Sequence, residues 1–151
     1  MRHRMVVAGL ALVGLLLSVY LLLHAWGMVG SLACGGSPSC DRVQASRWSE
    51  FLGLPVALYG VGGYLALLAA AIAGLQPRWE NSPAPTRLIA LLSGAGVLFT
   101  VYLKYLEFFV IGAVCRWCVG SAIIITAIFL VSLPFLRTPP SASPRPTDQP
   151  A

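Results

Sequence analysis

Four long apolar runs limit what this chain can fold into more than any other feature of its sequence. The runs extend over residues 5–29, 54–75, 88–114 and 119–135. Three of them exceed the roughly 20 residues that a helix needs to cross about 30 Å of hydrocarbon, and the fourth is near the lower limit. A helix pairs its own backbone groups, as lipid requires. The runs therefore predict an all-α integral membrane bundle of four transmembrane helices.

The composition agrees with a membrane protein and argues against a nucleic-acid-binding one. Hydrophobic residues make up 58% of the 151-residue chain and charged residues 10%, which is too apolar for an ordinary soluble domain. The net charge of +5 is spread out and forms no dense basic patch, so we expect no nucleic-acid partner. We expect one membrane domain over 1–136 and a disordered cytoplasmic tail, rich in Pro and Ser, over 137–151.

The first apolar run follows a short basic head, so a cleaved signal peptide is an alternative to a spanning helix. The segment Ser31-Leu32-Ala33-Cys34 faintly resembles a lipoprotein cleavage site, but Leu32 stands where a small residue is preferred. The run is also longer than the core of a usual signal peptide. We therefore interpret it as the first span.

The basic residues predict the orientation of the bundle. With a cytoplasmic N-terminus, six basic residues lie inside and four outside, which follows the positive-inside rule. The inner six are Arg2, Arg4, Arg78, Arg87, Arg137 and Arg145, and the outer four are Arg42, Arg47, Lys104 and Arg116. An even number of spans returns the C-terminus to the cytoplasm. All four cysteines then face outward, into a compartment that permits disulfides, such as the exterior of a bacterial plasma membrane.

The cysteines form two pairs with different settings. Cys34 and Cys40 lie in a Gly/Ser/Pro loop after the first run, whereas Cys115 and Cys118 form a C-x-x-C motif that opens the fourth run. Such a motif is usually redox-active. Cys115 would lie at a helix N-terminus, where the dipole favours a thiolate, and Cys118 would lie one turn deeper. A lipid-soluble oxidant would therefore meet Cys118, while the loop pair meets a soluble protein and exchanges disulfides with it.

Three other interpretations of the cysteines remain. They are two purely structural disulfides, one zinc ion held by four thiolates, and a small membrane transport or metal-binding protein whose thiolates pass a soft cation. Zinc sites usually show two short knuckles, but five residues separate Cys34 from Cys40. A transporter would more naturally place thiols inside a span or on both faces. We therefore favour the redox interpretation, without a metal.

Three further features concern the surroundings of the cysteines. A short amphipathic surface helix is predicted over 41–51, with Ser39 as its N-cap. Tyr20 and His24 share a helix face, for which packing against neighbours is the favoured role. Lys104 and Glu107 lie near the end of the third run. Ionisable groups in a span are functional candidates, although mutual pairing or snorkelling is favoured over proton relay.

Taken together, the order of the spans and several short motifs resemble the bacterial branch of the vitamin K epoxide reductase family, over about residues 6–135. The motifs are Cys34-x₅-Cys40, Asp41-Arg42-Val43 to Ser46-Arg47-Trp48, Leu52-Gly53-Leu54-Pro55 and Cys115-Arg116-Trp117-Cys118. The resemblance implies a four-helix bundle around a quinone, menaquinone or ubiquinone, beside the C-x-x-C.

The resemblance also implies a role for each cysteine. Cys34 would receive electrons from the partner, Cys40 would pass them to Cys115, and Cys118 would face the quinone. Ser46 matches the Ser/Thr that the family carries near the active pair, although a hydroxyl that merely bonds the backbone is an equal alternative. The tail after residue 135 is too short for the thioredoxin-like domain fused in many bacterial members, so we expect a separate extracytoplasmic thioredoxin-fold partner.

Two departures bear on the electron acceptor. Animal members that reduce vitamin K epoxide carry an Asn and a Tyr where this chain has Val56 and Ala122. This difference argues for a simpler quinone. The sequence therefore predicts a membrane thiol:quinone oxidoreductase that reoxidises a secreted thioredoxin-fold disulfide donor.

Overall fold

The computed structural model describes residues 2–137. Within them, four helices are long and apolar enough to cross a membrane. They are α1 (Arg2–Ala25), α3 (Val56–Leu75), α4 (Ala84–Tyr105) with its π-helical extension Leu106–Ile111, and α5 (Arg116–Ser132), which a short α6 (Pro134–Arg137) follows. The predicted four-helix membrane bundle is confirmed, and the chain is a multi-pass membrane protein. The predicted tail, 137–151, lies outside the described residues except for Arg137, which ends α6.

The four long helices pack as a ring. Helix α1 contacts α3 and α5, and α4 contacts the same two helices from the other side. The centre of one half of the ring is filled by Val7, Leu67, Ile89 and Ile128, all at most 1% exposed. The outward faces carry large apolar side chains, such as Leu98 at 74% exposed. In a membrane these faces contact lipid, so the ring needs only a narrow interior core.

The segment between α1 and α3 differs from the single surface helix predicted over 41–51. Helix α2 covers only Ser39–Gln44, a 3₁₀ turn covers Arg47–Ser49, and an antiparallel hairpin pairs Glu50–Phe51 (β1) with Leu54–Pro55 (β2). The hairpin turns at Leu52 and Gly53, whose φ angles are 52° and 78°. The predicted helix is divided earlier, at Ser46, whose extended backbone (φ −73°, ψ 150°) separates α2 from the 3₁₀ turn.

The predicted N-cap of α2 is also wrong. The cap position is Pro38, which offers no side-chain hydrogen bond, and Ser39 is the first helical residue. Ser39 instead bonds Ser37, with 3.0 Å between the two hydroxyl oxygens. Asp41 does lie in the first turn, as predicted, where a negative charge suits the helix dipole.

A buried arginine fastens the end of the bundle opposite the cysteines. Arg4 of α1 is 6% exposed and donates hydrogen bonds to the carbonyl oxygens of Gly74, Trp79 and Ser82 and to the hydroxyl of Thr86. These acceptors belong to the end of α3, the α3–α4 connection and the start of α4. The N-terminus therefore lies on the same side of the bundle as the α3–α4 connection.

Candidate thiol–disulfide site

The loop cysteines are bonded to each other in the structure. Cys34 and Cys40 form a disulfide, with 6.2 Å between their Cα atoms. The turn between them passes through Gly35 and Gly36, whose φ angles are 65° and 82°. Left-handed values of this kind favour glycine. The two glycines therefore let a short loop close the bond.

The disulfide is packed, although its loop is rich in Gly, Ser and Pro. Cys34 is 4% exposed and Cys40 is fully buried, although Gly35 and Gly36 between them are exposed. Cys40 is held inward because it lies on the buried face of α2, with Val43. A soluble partner would therefore need the loop to move before it reached either sulfur.

All four cysteines meet in one apolar cluster at this end of the bundle. Cys34, Cys40 and Cys115 belong to its buried set, and Cys118 packs against them. The other buried members come from α1, α2 and two connections: Leu21, Leu32, Val43 and Ala113. Residues 34 and 115 are far apart in the chain, so only the packing of the helices brings the two pairs together.

Cys115 occupies the N-cap position of α5. Its Sγ accepts a hydrogen bond from the backbone N–H of Cys118, with 3.4 Å between Sγ and N. The sequence prediction that Cys115 lies at a helix N-terminus is confirmed. A hydrogen bond from the Cys118 thiol, more than any other interaction, lowers the pKa of Cys115 from its ordinary value of 9.0 to about 7. This hydrogen bond therefore favours the thiolate of Cys115 near neutral pH.

Two polar contacts hold α2 and the loop in place. Asp41, directly after Cys40, accepts a hydrogen bond from the backbone N–H of Leu32 at 3.0 Å. The same carboxylate oxygen lies 3.2 Å from His24 Nε2. Asp41 thus ties the helix that carries Cys40 to the end of α1.

The C-x-x-C residues between the two cysteines also contact their surroundings. A Cβ atom placed on Gly35 would lie 2.7 Å from the guanidinium nitrogen of Arg116, so Arg116 lies against the disulfide loop. Trp117 packs on Tyr20 of α1, with ring centroids 5.2 Å apart. Tyr20 and His24 therefore both pack against neighbours at this end of the bundle, as the sequence suggested.

A pocket opens beside Cys118, between α1, α3, α4 and α5. Its cavity volume is about 190 Å³, and it is partly open to the surface. The Cys118 thiol is on the wall, and Gln44 Nε2 lies 3.6 Å from it. Other lining residues include Val56, Lys104 and Glu107. The pocket can therefore bring an apolar ligand of modest size against the second cysteine of the motif.

Ser46 lines the same pocket, but its hydroxyl is already engaged. Its Oγ donates to the carbonyl oxygen of Val43 at 2.7 Å. This is the backbone bond that the sequence left open as an alternative to a role near the active pair. The position on the pocket wall keeps a ligand contact through the remaining oxygen lone pair available.

Gln44 was not identified from the sequence. It follows Cys40 by four residues on α2, so both lie on the same face of that helix. The same spacing argument, applied to Cys40 once the helix was assigned, would have identified Gln44. Its amide approaches Cys118, so α2 contacts both pairs of cysteines.

The pairing of Lys104 with Glu107 is confirmed, with 2.7 Å between Nζ and Oε2. Within residues 2–137, no group of three or more His, Cys, Asp or Glu side chains is arranged to hold a metal ion. The free thiols of Cys115 and Cys118 lie in or against the apolar cluster that contains the loop disulfide.

The vitamin K epoxide reductase family model matches residues 5–133. The match covers most of the chain, so the protein belongs to this family. Membership indicates an oxidoreductase that acts on thiols and disulfides, in a family that uses quinone-type substrates together with redox partners.

Proposed function

We propose that this protein is a thiol:quinone oxidoreductase of the bacterial plasma membrane. It reoxidises a separate, secreted thioredoxin-fold disulfide donor and passes the electrons to menaquinone or ubiquinone. Cys34 receives the electrons, Cys40 transfers them to Cys115, and Cys118 faces the quinone. Ser46 lies at the quinone pocket as a supporting polar group.

One observation carries the proposal. A disulfide, a low-pKa thiol and a second thiol on a pocket wall all lie in or against one buried cluster. Structural disulfides need no such neighbours, and they need no apolar pocket. The loop pair is oxidised and the C-x-x-C pair carries free thiols.

The complete reaction balances as a chain of exchanges. The partner's dithiol reduces the Cys34–Cys40 disulfide and itself becomes a disulfide. The thiolate of Cys40 then attacks Cys115 of the oxidised C-x-x-C, and Cys34 resolves the mixed disulfide. Finally, Cys115 and Cys118 become a disulfide again, and their two electrons and two protons convert the quinone to a hydroquinone.

The pocket supports a simple quinone as the acceptor. Val56 begins α3 on the pocket wall, where epoxide-reducing animal relatives carry an amide. Ala122 replaces the tyrosine that they carry on the last long helix. A valine and an alanine supply no hydrogen bond to an epoxide oxygen. The quinone ring has to find its polar contacts elsewhere in the pocket.

Topology follows from the two ends of the bundle. The cysteines gather at one end, and Arg4 with the α3–α4 connection lies at the other. With the Arg-rich N-terminus and tail in the cytoplasm, every cysteine faces outward. A membrane-impermeant thiol reagent applied to intact, reduced cells should label the cysteines. If the cysteines are labelled only after lysis, the proposed orientation is wrong.

Turnover by the purified protein tests the function. Reduced thioredoxin-fold donor and a short-chain quinone should give stoichiometric hydroquinone and oxidised donor. Cys118→Ala should abolish hydroquinone formation with any donor. Cys34→Ala should block the protein donor but spare reduction by a small dithiol that reaches the C-x-x-C directly.

The exposed loop variant Ser37→Ala is the matched control, since it changes the same loop without removing a sulfur. It should retain full turnover with both donors. Wild-type protein that exchanges disulfides yet never reduces a quinone would refute the proposed acceptor. Equal loss in both assays for Cys34→Ala would refute the proposed order within the loop.

A further inference from the structure

We propose that Lys104 is a catalytic residue that donates a hydrogen bond to a carbonyl oxygen of the quinone, and that Glu107 positions Lys104. The inference rests on the proposed function, because it assigns the polar contact that the quinone needs in an otherwise apolar pocket. Lys104 stabilises the negative charge that develops on that oxygen as electrons arrive from the Cys118 thiolate.

Lys104 and Glu107 lie within the membrane-spanning part of the bundle and beside the pocket. Lys104 lies near the end of α4 and Glu107 in the π-helical turn that continues it, so both are inside a spanning segment. Both line the pocket that contains Cys118. The side chains are 19% and 4% exposed, and therefore neither reaches fully into solvent. A cation and the reactive thiol thus border the same cavity.

The energetics argue against a purely structural pair. Ionisable groups inside a span are expensive and are usually found where function requires them. A buried ion pair stabilises a fold poorly, since apolar residues of similar volume often serve as well or better. The hydrophobic core of the bundle is built mainly from such apolar residues. Stability alone therefore does not explain why two charges occur at this wall.

The hydrogen-bond inventory leaves Lys104 with spare donors. A lysine ammonium has three N–H donors, and one of them reaches Glu107 Oε2 at 2.7 Å. Across residues 2–137, Glu107 is the acceptor that the structure gives to Lys104. Two N–H groups therefore remain for a ligand in the pocket.

Three hydroxyls on the wall already donate to backbone carbonyl oxygens of the protein. Tyr64 donates to the carbonyl oxygen of Ser121 at 2.9 Å, and Tyr59 donates to that of Phe51 at 2.9 Å. The Ser46 hydroxyl donates to Val43, as described above. Lys104 is therefore the charged donor best able to meet a quinone oxygen.

The π-helical turn explains how Glu107 holds this position. The wider turn at Leu106–Ile111 ends at Gly112, whose φ of 66° reverses the chain. The carbonyl oxygen of Glu107 then accepts the N–H of Ala113 at 3.2 Å. Two residues later the chain reaches Cys115. Isolated π-helical turns are frequent at functional sites, and this one joins the carboxylate beside Lys104 to the segment that leads into the C-x-x-C.

The chemistry is that of a preorganised donor at a developing oxyanion. Two S–H bonds break, one S–S bond forms, and the quinone gains two electrons and two protons as a hydroquinone. Lys104 starts and finishes as an ammonium, so its contribution is electrostatic. Removing one such donor from an enzyme site typically lowers kcat by about 10²–10³-fold.

The test uses full-length protein in detergent micelles with a short-chain quinone and dithiothreitol as the donor. Lys104→Met alone leaves Glu107 buried without its partner, which threatens folding. The double variant Lys104→Met/Glu107→Leu removes both charges together and avoids that problem. We expect it to lower kcat for quinone reduction by about 10²-fold. Lys104→Arg should restore most of the rate, because it keeps a cationic donor at the position.

A half-reaction separates this inference from the proposed function. Protein oxidised at both cysteine pairs is mixed with dithiothreitol without quinone, and new thiols are trapped by acid quench and alkylation. The double variant should form thiols at the wild-type rate, because Lys104 acts only on the quinone. Leu98→Ala is the control, because Leu98 is an exposed residue of α4 outside the pocket lining. It should change kcat by no more than about threefold.

The possible outcomes are distinct. Unchanged kcat in the double variant, or equal loss of kcat and thiol formation, would overturn the role of Lys104 while leaving the proposed function intact. A wild-type protein without quinone reduction would overturn the proposed function itself.

Discussion

The two ends of the bundle bury polar groups in opposite ways. At one end, Arg4 is enclosed by acceptors from the α3–α4 connection and its flanking helices. At the other end, thiols and a disulfide are enclosed mainly by apolar side chains. Hydrogen-bonded burial fixes the first end. The second end holds thiols and a disulfide, which form only weak hydrogen bonds.

The difference separates stability from chemistry. A permanent cation surrounded by carbonyl oxygens also suits the C-terminal end of α3, where the helix dipole is negative. Thiols form only weak hydrogen bonds, so few hydrogen bonds are lost when a sulfur changes its disulfide partner. We expect changes at Arg4 to lower stability and spare turnover, and changes at the cysteines to lower turnover with little effect on stability.

The largest effect is expected for Cys118→Ala. Cys115 then loses its local partner, and its thiolate can attack the Cys34–Cys40 disulfide and remain bonded to Cys40. Non-reducing peptide mass spectrometry should find the Cys40–Cys115 bond, with turnover at background. The free energy of unfolding should change by less than about 1 kcal/mol, since a partly exposed thiol is removed. A Cys34–Cys115 bond would instead exchange the roles of the two loop cysteines.

Arg4→Ala should produce the largest loss of stability. The substitution leaves several acceptors at the α3 end without their donor, which we expect to lower the free energy of unfolding by about 3 kcal/mol. Denaturant titration in micelles measures this change, and Arg2→Ala, at an exposed position, should have little effect. Turnover per folded molecule should stay within about twofold of wild type. Loss of turnover at full stability would contradict the proposed division between the two ends.

The acidity of Cys115 gives an intermediate effect. Its pKa of about 7 lies below the ordinary 9.0, so the folded protein holds the thiolate above about pH 7. The associated stability is present above the unfolded pKa and is lost as the pH falls through about 7. Absorbance at about 240 nm, in reduced Cys34→Ala/Cys40→Ala protein, should titrate with a midpoint near 7. Cys118→Ala should move this midpoint upward, because the leading hydrogen bond is lost.

The smallest effect is expected for Asp41→Asn. The amide oxygen can still accept from the N–H of Leu32, but the negative charge beside His24 disappears. The pair is partly exposed, so we expect a loss of no more than about 1 kcal/mol. High salt should reduce the difference from wild type in denaturant titrations. Asp41→Ala removes the acceptor as well and should be more destabilising than Asp41→Asn at every salt concentration.

The ends of the spanning helices were predictable only approximately. The third run was predicted to begin at residue 88, but α4 begins at Ala84 with Pro85 in its first turn. Proline is favourable there because the first N–H groups need no intrahelical acceptor. The run was expected to continue to residue 114, but the chain leaves the helix at Gly112 in a left-handed conformation. Hydropathy indicates where lipid is crossed and cannot locate such conformational breaks.

The amino-acid sequence by itself determined the number of spans, the position of Cys115 at the head of α5 and the grouping of thiols toward one side. These properties are local, since run length, residue charge and motif spacing act within one segment. Only the tertiary structure decided that the loop disulfide is buried beside Cys115, and that Lys104 and Glu107 face a pocket with Cys118. The physical reason is that a helix hydrophobic on all sides does not specify which face meets its neighbours. That choice is made when four helices and the α1–α3 connection pack together.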